Sequence, residues 1–167
     1  MCGFLVQFSQ KNDDFNHFEE ANDLLNNRGP DSTGYYKDSE KYKFGFKRLS
    51  ILDLDVSANQ PMVDYQDKYI IVFNGEVYNF KQLRNEIEQL GGKFKTSHSD
   101  TEAILEGYKI WGPNILKKLE GQFSFVIFDK VNQILFMARD RIGQKPLFYK
   151  ITNERIIISS TLEPIIK

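Results

Sequence analysis

Two amphipathic helices in the middle of this chain, with strand-like runs before and after them, restrict what it can fold into. Phe80, Leu83, Ile87 and Leu90 recur at helical spacing, and Gly91-Gly92 closes that run. A second helix is capped by Ser99 or Asp100, carries Ile104, Tyr108 and Trp111, and ends at Gly112-Pro113. On one side of this pair, strands are predicted over 3–8, 42–51 and 69–73, the last closing on an Asn74-Gly75 turn signal. On the other side they are predicted over 123–128, 134–138 and 156–160, all rich in β-branched and aromatic residues. A further helix is expected over 14–27, with Phe15, Phe18, Leu24 and Leu25 able to share a face, stopped by Arg28-Gly29-Pro30-Asp31. Strands grouped around helices imply an α+β protein, with sheets packed on each other and helices outside. The 167 residues fit a single domain spanning 1–167.

The formal net charge of -1 gives no electrostatic footprint for nucleic acid or an anionic membrane surface. Apolar runs are too short to span a bilayer. The single cysteine excludes an internal disulfide and suits a reducing cytoplasm. No spacing suggests a zinc site, a P-loop or a dinucleotide loop.

That cysteine is Cys2, between Met1 and Gly3. With Met1 removed, one residue carries a thiol and a free α-amine, whose pKa of roughly 7.7–8 suits a general base near neutral pH. An N-terminal amine that activates its own side chain is one way to make a nucleophile. Taken alone, a lone cysteine such as Cys2 is more often a small buried hydrophobe than a catalyst.

Acyl transfer also needs donors for an oxyanion and a grip on the substrate. Asn74 and Gly75 supply an amide and a closely approachable backbone N–H, or else an ordinary turn. Arg48 could clamp a carboxylate; alternation is expected to point it away from Phe44 and Phe46. Asp100 opens a helix, as a binding carboxylate or a cap. His17 and His98 form no dyad with Cys2 that the sequence supports.

Taken in order, these residues resemble a family. The blocks are Met1-Cys2-Gly3, Arg28-Gly29-Pro30-Asp31, Arg48-Leu49-Ser50-Ile51, Gln60-Pro61, Asn74-Gly75-Glu76-Val77-Tyr78-Asn79, Ser99-Asp100-Thr101-Glu102, Gly121-Gln122-Phe123-Ser124-Phe125, and Ala138-Arg139-Asp140-Arg141-Ile142-Gly143 leading to Lys145-Pro146-Leu147-Phe148-Tyr149. The chain is similar to the glutaminase domain of class II glutamine amidotransferases, which are N-terminal-nucleophile hydrolases. Within that group it looks most like the N-terminal domain of asparagine synthetases. The resemblance implies a four-layer αββα sandwich with two antiparallel sheets between helices.

The resemblance also implies roles. Cys2 would be the nucleophile, its α-amine the base, and Asn74 with Gly75 the oxyanion hole. L-Glutamine would be held by Arg48 at its α-carboxylate and by Glu76 and Asp100 at its α-ammonium. Leu49, Ser50, Ile51 and Leu52 would line the pocket, and Arg28, Gly29, Pro30 and Asp31 would shape it. No metal or cofactor is expected in this domain. The domain would be the N-terminal part of a longer protein and pass ammonia to a synthetase domain, in cis or in trans, that binds ATP and Mg²⁺. The acceptor implied is aspartate; the alternatives are a surface-polysaccharide sugar acid, or a non-catalytic regulatory domain that keeps the fold. A homodimer is compatible with the resemblance.

Overall fold

The computed structural model describes residues 2–9, 17–39, 41–49 and 59–166. Strand β1 (Gly3–Ser9) is followed by helix α1 (Phe18–Asp23), then strands β2 (Ser32–Ser39), β3 (Tyr42–Arg48), β4 (Met62–Val63) and β5 (Tyr69–Val77). Helices α2 (Phe80–Gln89) and α3 (Asp100–Trp111) come next, with a 3-10 turn over Gly112–Lys117. Strands β6 (Gly121–Asp129), β7 (Ile134–Arg139), β8 (Phe148–Ile151) and β9 (Arg155–Ser159) and the short helix α4 (Glu163–Ile166) complete the order. The strands form two antiparallel sheets, ordered β2-β3-β1-β9-β8 and β4-β5-β6-β7.

Alternation along the strands builds the layers. On β1, Phe4 and Val6 face the other sheet; with Phe44, Phe46 and Ile158 of their own sheet they pack against Ile70, Val72, Val126 and Phe128 across the sandwich. Leu5 faces outward, onto Phe18 and Leu25 at α1. On the second sheet Ile71, Phe73, Phe125 and Ile127 point outward and pack under Leu83, Ile87, Ile104 and Leu105 of α2 and α3. The order is therefore helix, sheet, sheet, helix, the expected four-layer α+β sandwich. Phe4, Phe44 and Phe46 are fully buried, each worth roughly 1.5–3 kcal/mol relative to exposure. A one-residue slip would turn all of them out of the core, so the register is firmly set.

Several boundaries differ from the sequence expectation. Helix α1 covers only Phe18–Asp23. After it, Leu25 N–H bonds Asn22, Asn26 N–H bonds Asp23 and Arg28 N–H bonds Leu25, so the chain tightens into successive turns. Residues 14–16 lie outside the described residues. Strand β3 ends at Arg48, and the expected continuation to Ile51 also falls outside them. Asn74-Gly75 is no turn: β5 runs through it to Val77, paired as Asn74 with Ser124, Gly75 with Phe123 and Glu76 with Gln122. Ser99, not Asp100, is the cap of α3, its hydroxyl accepting from Glu102 N–H at 3.2 Å.

Candidate active site

Strand β1 lies in the middle of its sheet, between β3 and β9. Its start is fixed three times over at Phe4. The Phe4 N–H donates to Ser160 Oγ at 3.0 Å, and the Phe4 carbonyl accepts from Ser159 Oγ at 3.0 Å and Ser160 N–H at 3.1 Å. Cys2 directly precedes this anchor and packs, half-buried, at the edge of the inter-sheet core. Its Sγ accepts from Leu49 N–H at 3.4 Å and lies 3.5 Å from the Leu49 carbonyl. Burial pushes the thiol above its ordinary range; the Leu49 N–H and the Arg48 charge pull it partly back, and the Asp100 charge pushes it further up. The resting sulfur is thus a neutral thiol that needs a base.

Arg48 ends β3 beside this sulfur and is buried. Contrary to the expected orientation, it shares the inner face with Phe44 and Phe46, since all three are two residues apart. The intervening Lys47 takes the outer face, its Nζ donating to Asp23 Oδ1 at 2.8 Å and Thr33 Oγ1 at 2.9 Å. Arg48 Nη1 donates to Asn59 Oδ1, a partner that no sequence motif had marked. The loop from Arg28 to Asp31 presses on the same corner. A Cβ on Gly29 would stand 2.2 Å from the Lys47 carbonyl oxygen, so only glycine allows this approach. Asp31 N–H closes the contact on the Arg48 carbonyl at 3.0 Å. Arg28 Nε and Nη2 are buried without a partner among the described residues.

Across the sandwich, the end of β5 supplies Asn74, Gly75 and Glu76. Asn74 is 1% exposed, yet its Nδ2 has no hydrogen-bond partner among the described residues. A buried donor without an acceptor is costly and rare. On β5 the inner face carries Ile70 and Val72, so Asn74 and Glu76 follow on that face. Gly75 approaches β6 so closely that a Cβ would stand 2.2 Å from the Gln122 carbonyl oxygen.

The block Ser99-Asp100-Thr101-Glu102 divides four tasks. Ser99 caps α3. Asp100 Oδ2 accepts from Val77 N–H at 3.1 Å, tying the helix start to the end of β5. Thr101 Oγ1 accepts from Gln60 Nε2 at 3.2 Å, and Gln60 Oε1 accepts from Phe73 N–H at 2.6 Å. Glu102 accepts from the backbone N–H groups of Lys95 and Thr96 at 2.7 and 2.8 Å, which shapes the preceding loop. Burial pushes the Asp100 carboxyl up to about 6, against the pull of the Val77 and Thr101 N–H groups and with a further push from Glu76.

At one mouth of the sandwich the charges of Arg48 and Asp100 reach the Cys2 sulfur and that of Glu76 reaches Asp100, with Asn74 and Gly75 just before Glu76 on β5. The arrangement offers a thiol, a buried guanidinium, an unsatisfied amide donor and two carboxylates. Ser50, Ile51 and Leu52 lie outside the described residues. Neither histidine is paired with Cys2: His17 Nδ1 is 3.2 Å from Glu20 Oε2, and His98 Nδ1 is 2.8 Å from Ser97 Oγ. Among the described residues no cluster of three His, Cys, Asp or Glu is placed to hold a metal ion, and no helix is long and apolar enough to cross a membrane.

Comparison with known proteins gives a consistent picture. Residues 1–167 match the glutamine amidotransferase domain family. Asparagine synthetase (glutamine-hydrolyzing) 1 of Bacillus subtilis is 40% identical over 165 residues, covering 96% of this chain and 26% of that protein. Amidase chry2 of Gibberella zeae is 36% identical over 147 residues, covering 87% of this chain and 22% of that protein. The chain therefore spans about a quarter of the length of these curated relatives. The solved glutamine phosphoribosylpyrophosphate amidotransferase from B. subtilis, complexed with ADP and GMP, superposes with a TM-score of 0.77 at 20% identity, over 98% of this chain and 43% of that one. At that identity the likeness speaks for the fold alone, the expected four-layer sandwich of two antiparallel sheets between helices. By its sequence, the chain belongs to the class II glutamine amidotransferase domain family.

Proposed function

We propose that this domain hydrolyses the side-chain amide of L-glutamine through a Cys2 thioester and supplies the ammonia to an acceptor domain. The observation that carries the reading is Asn74 Nδ2, buried without an acceptor on the inner face of β5, two residues before Glu76. Glutamine would dock with its α-carboxylate on Arg48 and its α-ammonium between Glu76 and Asp100. The α-amine of Cys2, freed by loss of Met1, takes the thiol proton as sulfur attacks the carboxamide carbon. The carbonyl electron pair moves onto oxygen, which accepts from Asn74 Nδ2 and Gly75 N–H. Collapse breaks the C–N bond, and the amine returns its proton to the departing ammonia. A water molecule, deprotonated by the same amine, then cleaves the thioester to glutamate and free thiol. Leu49 holds the sulfur, and the loop Arg28, Gly29, Pro30 and Asp31 would border the pocket.

An oxyanion donor acts on the transition state rather than on bound substrate. Asn74→Ala is therefore expected to lower kcat by about 10²–10³-fold with KM changed far less. Steady-state glutamate release checks this, and unchanged turnover would remove Asn74 from the role.

The Asp100 carboxyl gives a second handle. Its folded-state value of about 6 lies above the ordinary 3.8, so its protonated form favours folding. That contribution is complete below about 3.8 and disappears as pH rises through about 6. At neutral pH the ligand-free site thus holds a carboxylate at a cost of about 3 kcal/mol, which an ammonium seated beside it offsets. KM for glutamine is expected to be flat above pH 7 and to rise by up to about tenfold per pH unit below 6. Asp100→Asn should raise KM and flatten that dependence. A pH-independent KM in the unaltered chain would separate Asp100 from the ammonium.

We further propose aspartate as the ammonia acceptor, in a cytoplasmic asparagine synthesis, since relatives at 36–40% identity are named glutamine-hydrolyzing asparagine synthetases. ATP and Mg²⁺ would serve that acceptor domain, and the domain spanning 1–167 would be the N-terminal part of the longer protein. Relatives of 36% identity named as amidases share this domain too, so the acceptor is decided outside it.

A further inference from the structure

Strand β6 carries a polar residue where the layer calls for an apolar one. Its inner face presents Val126 and Phe128 to the opposing sheet, and the next residue on that face toward the mouth is Ser124. Ser124 is 0% exposed, and its hydroxyl has no hydrogen-bond partner among the described residues. In the pairing of β5 with β6, Ser124 stands directly opposite Asn74. Directly opposed side chains share one face of the sheet, with Cβ atoms about 4.5–5.5 Å apart. Asn74 Nδ2 is itself unpaired, so neither group satisfies the other. Two adjacent buried donors without an acceptor, on the face of the second sheet that looks into the sandwich, define a place for one oxygen atom that the ligand must bring.

We propose that Ser124 is a third hydrogen-bond donor to the reacting carboxamide oxygen of glutamine, beside Asn74 Nδ2 and Gly75 N–H. This rests on the glutaminase reading of the site. No proton is transferred: as sulfur bonds to the carboxamide carbon and the carbonyl pair moves onto oxygen, the Ser124 O–H bond stays intact and its hydrogen bond shortens. The hydroxyl has no competing partner to break from when the charge develops, and it rotates to meet the oxygen. Because the group is unsatisfied in the empty site, it works against folding while it assists the chemistry.

Ser124→Ala tests this in the full chain, with the unaltered protein and Cys2→Ala assayed alongside. Steady-state glutamate release is expected to show kcat lowered by about tenfold, the rate equivalent of one neutral hydrogen bond, with KM within about twofold. The thermal midpoint of the ligand-free variant is expected to equal or exceed that of the unaltered chain, which a purely structural serine would not give. Unchanged kcat, or a kcat loss that comes with a lowered midpoint, overturns the third donor while leaving glutamine hydrolysis in place. Absence of Cys2-dependent glutamate release from the unaltered chain overturns both readings.

Discussion

Replacing Cys2 by alanine is expected to lower glutamate release by about 10⁴-fold or more, because removing a nucleophile leaves only the binding and electrostatic parts of the site. The fold should survive. Cys2 precedes β1 rather than belonging to it, and the strand's start is held at Phe4 by Ser159 and Ser160. The sulfur's only described hydrogen-bond partner is the Leu49 backbone. Its loss should therefore cost stability no more than about 1 kcal/mol, the middle of the range for single substitutions. The groups proposed to grip glutamine, Arg48, Glu76 and Asp100, are untouched, so glutamine should still raise the thermal midpoint of Cys2→Ala by mass action. Loss of turnover with the ligand-induced shift preserved is the result that identifies a nucleophile. Loss of both would mean that Cys2 shapes the pocket, and retained turnover would place the nucleophile elsewhere.

The sequence revealed much of this arrangement because its strongest patterns are local. Phe4 and Val6, Phe44, Val126 and Phe128 alternate cleanly, and the inter-sheet core follows from that period. Strand β2 was not expected because Ser-Thr-Gly-Tyr-Tyr-Lys-Asp-Ser is polar and lies at a sheet edge, where pairing with β3 rather than burial makes it a strand. Asn74-Gly75 reads locally as a turn, yet pairing across to Ser124 and Phe123 continues β5 through it. Arg48 lies two residues beyond Phe46 and four beyond Phe44, so the period of a strand puts it on their face and not on the opposite one. The roles of Asn59 and Ser124 carry no local mark for a different reason. A contact from Asn59 to Arg48, or a serine facing an unpaired amide across two strands, exists only once distant segments are brought together.

A chain whose α-amine is blocked should lose nearly as much as one without the thiol. Inserting a lysine between Met1 and Cys2 turns the Cys2 nitrogen into an amide, which is neither basic nor charged. The thiol cannot compensate, because burial already holds it above its ordinary pKa and leaves it protonated near neutral pH. The histidines cannot replace the amine, His17 being exposed and set on Glu20 and His98 exposed and set on Ser97. Among the described residues the competing base is Asp100, whose charge reaches the sulfur and whose carboxyl sits at about 6. The two bases leave different pH signatures. With the amine as base, kcat of the processed chain should climb through roughly 7.7–8, and the inserted chain should lose about 10²–10⁴-fold at every pH. With Asp100 as base, the climb would fall near 6 and the insertion would change little. Intact mass fixes the N-terminus in each sample, so an inserted chain with undiminished turnover would transfer the proton from the amine to Asp100. The ammonium grip would then rest on Glu76 alone, because a carboxylate that takes the thiol proton cannot at the same moment hold the substrate's charge.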